Sequence, residues 1–361
     1  MSSNEKKEYF RGATLFAASN SAEGFKSYYE QIFKREELTR FYIIKGGPGT
    51  GKSSFMRAVA RAFSEKGYSV EYYNCSSDPD SVDAIVIEDR IAMVDGTSPH
   101  SCDVQIAGAR DEIINLGEFW NSEALASEIE RIEQLTALKK DTYDKGYKYL
   151  SACGRLLDIN LSLILPALRE DKMLGVISRI LQSIPKGDGY RVIPAVTDSV
   201  GMKGRVKFDT LEKCAEKLYS VVDAYSTAHL FIAAVITEAK RKDIPVRISY
   251  DPIDPSRADG VFLIGYGIAF TVCEGDEAES CLGVRINMKR FIDRERLEPV
   301  KREYRANMRL YEALLTSACD AFSEAGEYHF ELEKIYSSAM DYKAKESFQR
   351  SFTEKLLNSF K

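Results

Sequence analysis

The sequence has no run approaching the ~18 consecutive apolar residues that a membrane-spanning helix requires. Its longest apolar patches, near residues 161–168 and 230–236, are the length of buried helix faces. It has no CxxC pair, and none of its three histidines stands at metal-ligand spacing from a cysteine. The seven cysteines, an odd number scattered along the chain, are expected to be buried thiols in a reducing cytosol. Positive charge is not in excess: 50 Lys and Arg against 55 Asp and Glu give a net charge of −5. That argues against a general nucleic-acid binder. The opening residues 1–8 are polar, so no cleaved leader is expected. These features predict a cytoplasmic protein without membrane insertion.

What the sequence does hold is enough chain for two domains, and a repeat that divides them. Its 361 residues are 44% hydrophobic and 29% charged, so each half can bury a core. Slid on itself by about 176 positions, the chain sets Phe55, Ala58, Val59, Lys66 and Val70 on Phe231, Ala234, Val235, Lys242 and Val246. Asp83 falls on Asp259 in the same register. Further along the offset shrinks to 172, where Ile114, Asn115, Phe119 and Leu125 meet Ile286, Asn287, Phe291 and Leu297. Matches that keep their order over about 70 residues predict a tandem duplication. The turn-rich stretch 184–190 sets the boundary, giving domains 1–185 and 186–361.

The local patterns agree in both copies. Residues 41–45 read as a buried strand, and from Lys52 to Lys66 the residues Phe55, Val59, Ala62 and Phe63 recur at helical spacing. Residues 70–74, 84–87 and 91–94 are further strands. This order points to an α/β fold with a mainly parallel sheet and flanking helices. Residues 122–183 and 294–359 are expected to be helical extensions, one to each copy, offering surface for a protein partner.

Residues 46–53 read Gly-Gly-Pro-Gly-Thr-Gly-Lys-Ser, which fits GxxxxGK[ST] between a strand and a helix. Glycines let backbone N–H groups turn inward toward phosphate oxygens, and the helix N-terminus points its partial positive charge at the same anion. Gly46, Gly47, Pro48, Gly49, Thr50, Gly51, Lys52, Ser53 and Ser54 are therefore the nucleotide-binding set. Lys52 reaches the β- and γ-phosphates, and the Ser53 hydroxyl ligates Mg²⁺. The expected cofactors are ATP and Mg²⁺.

A magnesium site needs an acid at the end of an apolar strand. Asp95 ends residues 91–95 and opens a polar loop, where parallel sheets place ligands. Glu88 and Asp89 end the preceding strand and are the alternatives; with Asp95 on the metal, Glu88 is left as a water-orienting base. His100 either contacts the γ-phosphate and orients water, or simply packs in its loop. Ser76, Ser77 and Asp78 read as turn and cap chemistry.

The second copy has no such loop. In register, residues 222–229 replace it without a glycine, and Ala228 stands for Lys52. Between Arg285 and Arg305 eight basic residues cluster with interleaved acids, a solvated face or the source of an arginine finger.

Residues 46–53, with Asp95-Gly-Thr-Ser-Pro-His and Asp111-Glu-Ile-Ile-Asn-Leu-Gly-Glu-Phe-Trp, resemble a poorly characterised bacterial family of tandem P-loop ATP-binding proteins. The resemblance implies a P-loop NTPase fold and places Asp95 and His100 near the nucleotide. The resemblance implies that relatives can carry a glycine-rich loop in both halves; this chain departs from that in its second. The function expected is an ATPase whose nucleotide cycle drives conformational change through the degenerate domain. The alternatives are a small-molecule or nucleotide kinase, with residues 101–120 and Arg110 as lid, and a non-hydrolysing ATP-gated binding protein.

Overall fold

A computed structural model describes residues 9–274 and 281–360; the polar opening stretch lies outside them. The first copy begins with β1 (Thr14–Phe16), a hairpin of β2 (Ala18–Ser21) and β3 (Gly24–Ser27), and the short α1 (Tyr29–Ile32). It continues through β4 (Arg40–Lys45), α2 (Lys52–Glu65), β5 (Val70–Asn74), β6 (Val82–Ile87), β7 (Ile91–Asp95) and β8 (Asp111–Asn115). Helices α3 (Ser122–Ser127), α4 (Ile129–Ile164) and α5 (Glu170–Leu181) close it. The second copy repeats the plan with β9 (Val192–Pro194), β10 (Asp198–Gly201), β11 (Gly204–Lys207), α6 (Thr210–Cys214), β12 (Lys217–Val222) and α7 (Ala228–Arg241). It ends with β13 (Val246–Tyr250), β14 (Ala258–Leu263), β15 (Ile268–Cys273), β16 (Val284–Asn287), α8 (Arg294–Leu297), α9 (Lys301–Ser338) and α10 (Tyr342–Ser359). The repeat offsets hold: α2 and α7 start 176 residues apart at Lys52 and Ala228, and α4 and α9 start 172 apart at Ile129 and Lys301.

Each copy folds a six-stranded sheet in one order, β1-β5-β6-β7-β4-β8 and β9-β13-β14-β15-β12-β16. The sheets are mostly parallel, as expected, except that β6 and β14 run against their neighbours. The chain flanking β6 is too short for a crossover helix, so it doubles back as a meander.

Both sheet faces are buried. In β4, Tyr42 and Ile44 pack against Phe55, Met56, Val59 and Phe63 of α2, while Phe41 and Ile43 join a core shared with Leu211, Phe262 and Ala269 of the second copy. The alternation is the two-residue period of a strand covered on both sides.

The terminal helices are exchanged between copies. α5 buries Met173, Ile177 and Leu181 in the core of the second sheet, with Phe231 and Phe291. α10 returns to the first sheet, where Phe352 lies 5.5 Å from Phe55 and Phe360 lies 5.3 Å from Phe63. The crossing is made by α4 and α9, 36 and 38 residues long, which pair antiparallel. Arg131 meets Glu331 near one end, Gly146 meets Phe322 at the middle, and Asn160 bonds Asn307 near the other. A Cβ on Gly146 would stand 2.6 Å from the Phe322 ring, so at this crossing only hydrogen fits. One 18-residue window of this first long helix reaches a mean hydropathy of 1.3, enough by length and composition to cross a membrane. In the fold it buries Leu150, Cys153 and Leu157 in a core with Phe322.

The expectation of seven thiols is corrected: Cys273 and Cys281 are joined by a disulfide. The other five cysteines are free, and only Cys153 is fully buried. The cysteine argument for a reducing compartment therefore loses its basis.

Candidate functional site

The glycine-rich loop joins Lys45 at the end of β4 to Lys52 at the start of α2. Gly49 and Gly51 take φ values of +69° and +81°, backbone that L side chains rarely adopt, and this turns the loop around the helix N-terminus. Lys52 Nζ donates to the Gly46 and Gly47 carbonyls at 2.8 and 2.9 Å and lies 3.5 Å from Asp95 Oδ2. Thr50 Oγ1 closes the loop on the Gly47 carbonyl at 2.9 Å. The Ser53 hydroxyl accepts from the Val82 amide at 2.9 Å, which ties it to the start of β6, and the exposed Ser54 hydroxyl donates to the Gly51 carbonyl. Pro48 sits half-buried in the turn. A helix N-terminus with an adjacent ammonium is an arrangement that favours anions.

Asp95 stands where the sequence placed it, at the loop end of β7 and in register with Ile44 of β4. The Thr97 amide and hydroxyl both donate to its Oδ1, at 2.8 and 2.6 Å. Burial holds its carboxyl above the usual range, against the opposing pull of Lys52 and with the added push of Asp83. Extending the β6–β7 register by one residue sets Asp83 directly across from Asp95. His100 Nε2 lies 3.0 Å from Asp83 Oδ2, and its ring is buried against Tyr29 and Phe25. The histidine thus stands behind Asp83 instead of reaching for the loop.

Glu88 is not brought to the site. Because β6 runs antiparallel to β7, its C-terminal end lies at the opposite sheet edge, and Glu88 and Asp89 form the β6–β7 turn with positive φ. There a Glu88 carboxylate oxygen accepts the Ser69 amide at 2.6 Å. Its role as water-orienting base is withdrawn. Arg110 lies at that same far edge, bonded to Asp111 and Gln105, so it is no lid residue. The basic residues 285–305 are equally remote. They precede or open α9, whose last turns reach the loop from Arg305 at roughly 40 Å along the axis. Asp78 caps its own turn through the Asp80 amide, as read.

Those last turns supply residues that sequence reading missed. The backbone of Glu333 lies against Gly49, so close that a Cβ there would meet its carbonyl at 2.5 Å. Tyr336 and Trp120 flank Gly47. Tyr342 donates to the Gly49 carbonyl at 2.7 Å, and Lys345 to the Ser54 hydroxyl at 3.1 Å. One turn before Glu333, His329 lies 3.6 Å from its carboxylate. Lys139 of α4 faces the same space: burial, then the charge of Lys52, holds its ammonium below the usual range. Burial, with Lys139 and Lys52 adding repulsion, pushes His329 down to about 4. No local motif marks these positions; only the antiparallel crossing brings them to the loop.

In the second copy the equivalent loop, residues 223–227, is one residue shorter than expected, and Asp223 follows β12 where Gly46 follows β4. Asp223 accepts the Ser226 amide at 2.9 Å and the Ala228 amide at 2.8 Å. Its carboxylate fills the helix N-terminus that the first copy leaves open. Ala228 replaces Lys52 as read, and Val272 pairs with Val221 where Asp95 pairs with Ile44. Asp259, the counterpart of Asp83, is buried with neither carboxylate oxygen partnered among the described residues. Burial pushes it up to about 7.

A cavity of about 220 Å³ lies between the two sheets beside the Glu71–Arg247 ion pair, away from the loop. Comparison with protein-family models, curated proteins and solved structures gave no match.

Proposed function

We propose that the first copy binds Mg-ATP at residues 46–53 and that the protein is a P-loop ATPase, coupling nucleotide state to the helices of its degenerate second half. The observation that carries this reading is Lys52, suspended between the loop carbonyls and Asp95 at the N-terminus of α2. An incoming phosphate replaces those carbonyls as the ammonium's partner. The donor set suits magnesium. Among the described residues no three His, Cys, Asp or Glu side chains converge on one point, and Mg²⁺ held by phosphates needs only one or two protein ligands. Ser53 and Asp95 are those ligands.

With Glu88 at the far edge, Asp83 is the carboxylate left to orient water, held by His100. The second half contributes contacts and no second nucleotide. A kinase reading loses the lid it required, while ATP as a clamp without turnover would act through the same contact of Glu333 on Gly49. Phosphate release with Mg-ATP and no acceptor decides between hydrolysis and clamping. Asp95→Asn is expected to lower turnover more than tenfold while ATP affinity changes only a few-fold. Equal activity would move the metal role elsewhere.

A further inference from the structure

We infer that the nucleotide site is completed by the crossing helices, with Lys139 of α4 and His329 of α9 meeting the terminal phosphate. This rests on the ATP reading above and adds which groups distinguish ATP from ADP.

The geometry comes first. Glu333 touches Gly49 through its backbone, and His329, one turn earlier, shares the helix face that carries the Glu333 carboxylate. In the antiparallel pair, Arg131–Glu331 and Gly146–Phe322 bracket the stretch where Lys139 comes opposite His329. Lys139 makes no hydrogen bond and no ion pair among the described residues, although it is only partly exposed. Three groups able to carry positive charge, Lys52, Lys139 and His329, therefore share one partly buried space. The carboxylates near them are Asp83, Asp78, Asp95 and Glu333. Asp83 is held by His100, Asp78 by its own turn, and Asp95 faces Lys52. Glu333 lies 3.6 Å from His329, which leaves Lys139 as the cation of the three without a carboxylate partner among the described residues, and its repulsion with Lys52 is relieved when an anion joins them. A polyphosphate seated in the loop brings that anion.

The second copy supplies an independent contrast. At the offset of 172, Tyr311 replaces Lys139, Leu157 replaces His329 and Leu161 replaces Glu333. The groups are present where the loop is open and absent where Asp223 closes it.

The test measures ATP and ADP affinity in parallel, by calorimetry with magnesium, for wild type, Lys139→Gln, Lys139→Arg, His329→Gln and Lys52→Ala. Thermal melting confirms that each variant folds. Lys139→Gln should weaken ATP by roughly 10- to 100-fold and ADP by less than about 3-fold, with Lys139→Arg recovering most of the loss. His329→Gln should show the same ATP-selective loss at smaller size. If Lys52→Ala abolishes binding while Lys139→Gln and His329→Gln bind both nucleotides like wild type, this inference falls and the ATP site stands. Equal losses for ATP and ADP also overturn it. If wild type binds neither nucleotide, the ATP reading itself fails.

Discussion

Gly46 and Asp223 follow the same strand in the two copies, and only Asp223 has a side chain to place on the amides of the next helix. In the first copy Lys52 bonds the Gly46 and Gly47 carbonyls and lies 3.5 Å from Asp95. In the second, one carboxylate accepts the Ser226 and Ala228 amides at the start of α7. The neighbouring positions changed in the same sense: Lys52 became Ala228, Asp95 became Val272, and His329 stands against Leu157. A duplicated fold keeps its sheet order and helix lengths because its cores demand them. On the reading proposed above, phosphate binding goes with a few side chains at a strand end and is lost with them.

The contrast can be broken first at Lys52. Lys52→Ala is expected to cut Mg-ATP affinity about 1,000-fold, since the phosphates lose their main side-chain charge; nucleotide titration checks this, and an unchanged affinity contradicts it. Next comes the pair Asp83 and Asp259, of which only Asp83 has a partner in His100. Burial raises Asp259 to about 7 from an ordinary 3.8, so the folded chain retains a proton that the unfolded chain releases. The stability tied to that proton is complete below pH 4 and is lost as pH rises through 7, on the order of 4 kcal/mol. Asp259→Asn stays neutral and should flatten this slope in urea melts at pH 5 and pH 8; parallel slopes would refute the assignment. Gly49→Ala, strained at its left-handed φ and crowded by the Glu333 carbonyl, should destabilise by about 2 kcal/mol and loosen α9 from the loop. Faster hydrogen exchange in residues 329–342 is the readout. The smallest effect is Asp223→Ala, which strips two amides of their acceptor at a cost of about 1 kcal/mol and leaves ATP affinity unchanged.

Much of this was legible in the sequence. The loop motif fixed the strand, turn and helix from 40 to 65, and the offsets of 176 and 172 anticipated matching elements in both copies. Asp95 followed from its strand end. Glu88 was misjudged because strand direction depends on pairing, and a short link between strands was not read as a reversal. The exchange of α5 and α10 had no local signal. Their apolar stripes suit either of two similar sheets, and the choice follows from where α4 and α9 deliver the chain. Lys139, His329 and Glu333 were invisible for that reason: they sit on helices distant in sequence from the loop, and their meeting depends on the crossing register. The disulfide joins Cys273, at the end of β15, to Cys281, which precedes β16, and no CxxC pattern marked it in the sequence.

The stoichiometry of Mg-ATP binding to the intact chain, measured by calorimetry, tests the central contrast most directly. One site per chain, lost in Lys52→Ala and retained in Asp223→Ala, is the predicted result. Two sites would show that Asp223 yields its amides to phosphate, and none would show that the open loop of the first copy does not bind the nucleotide.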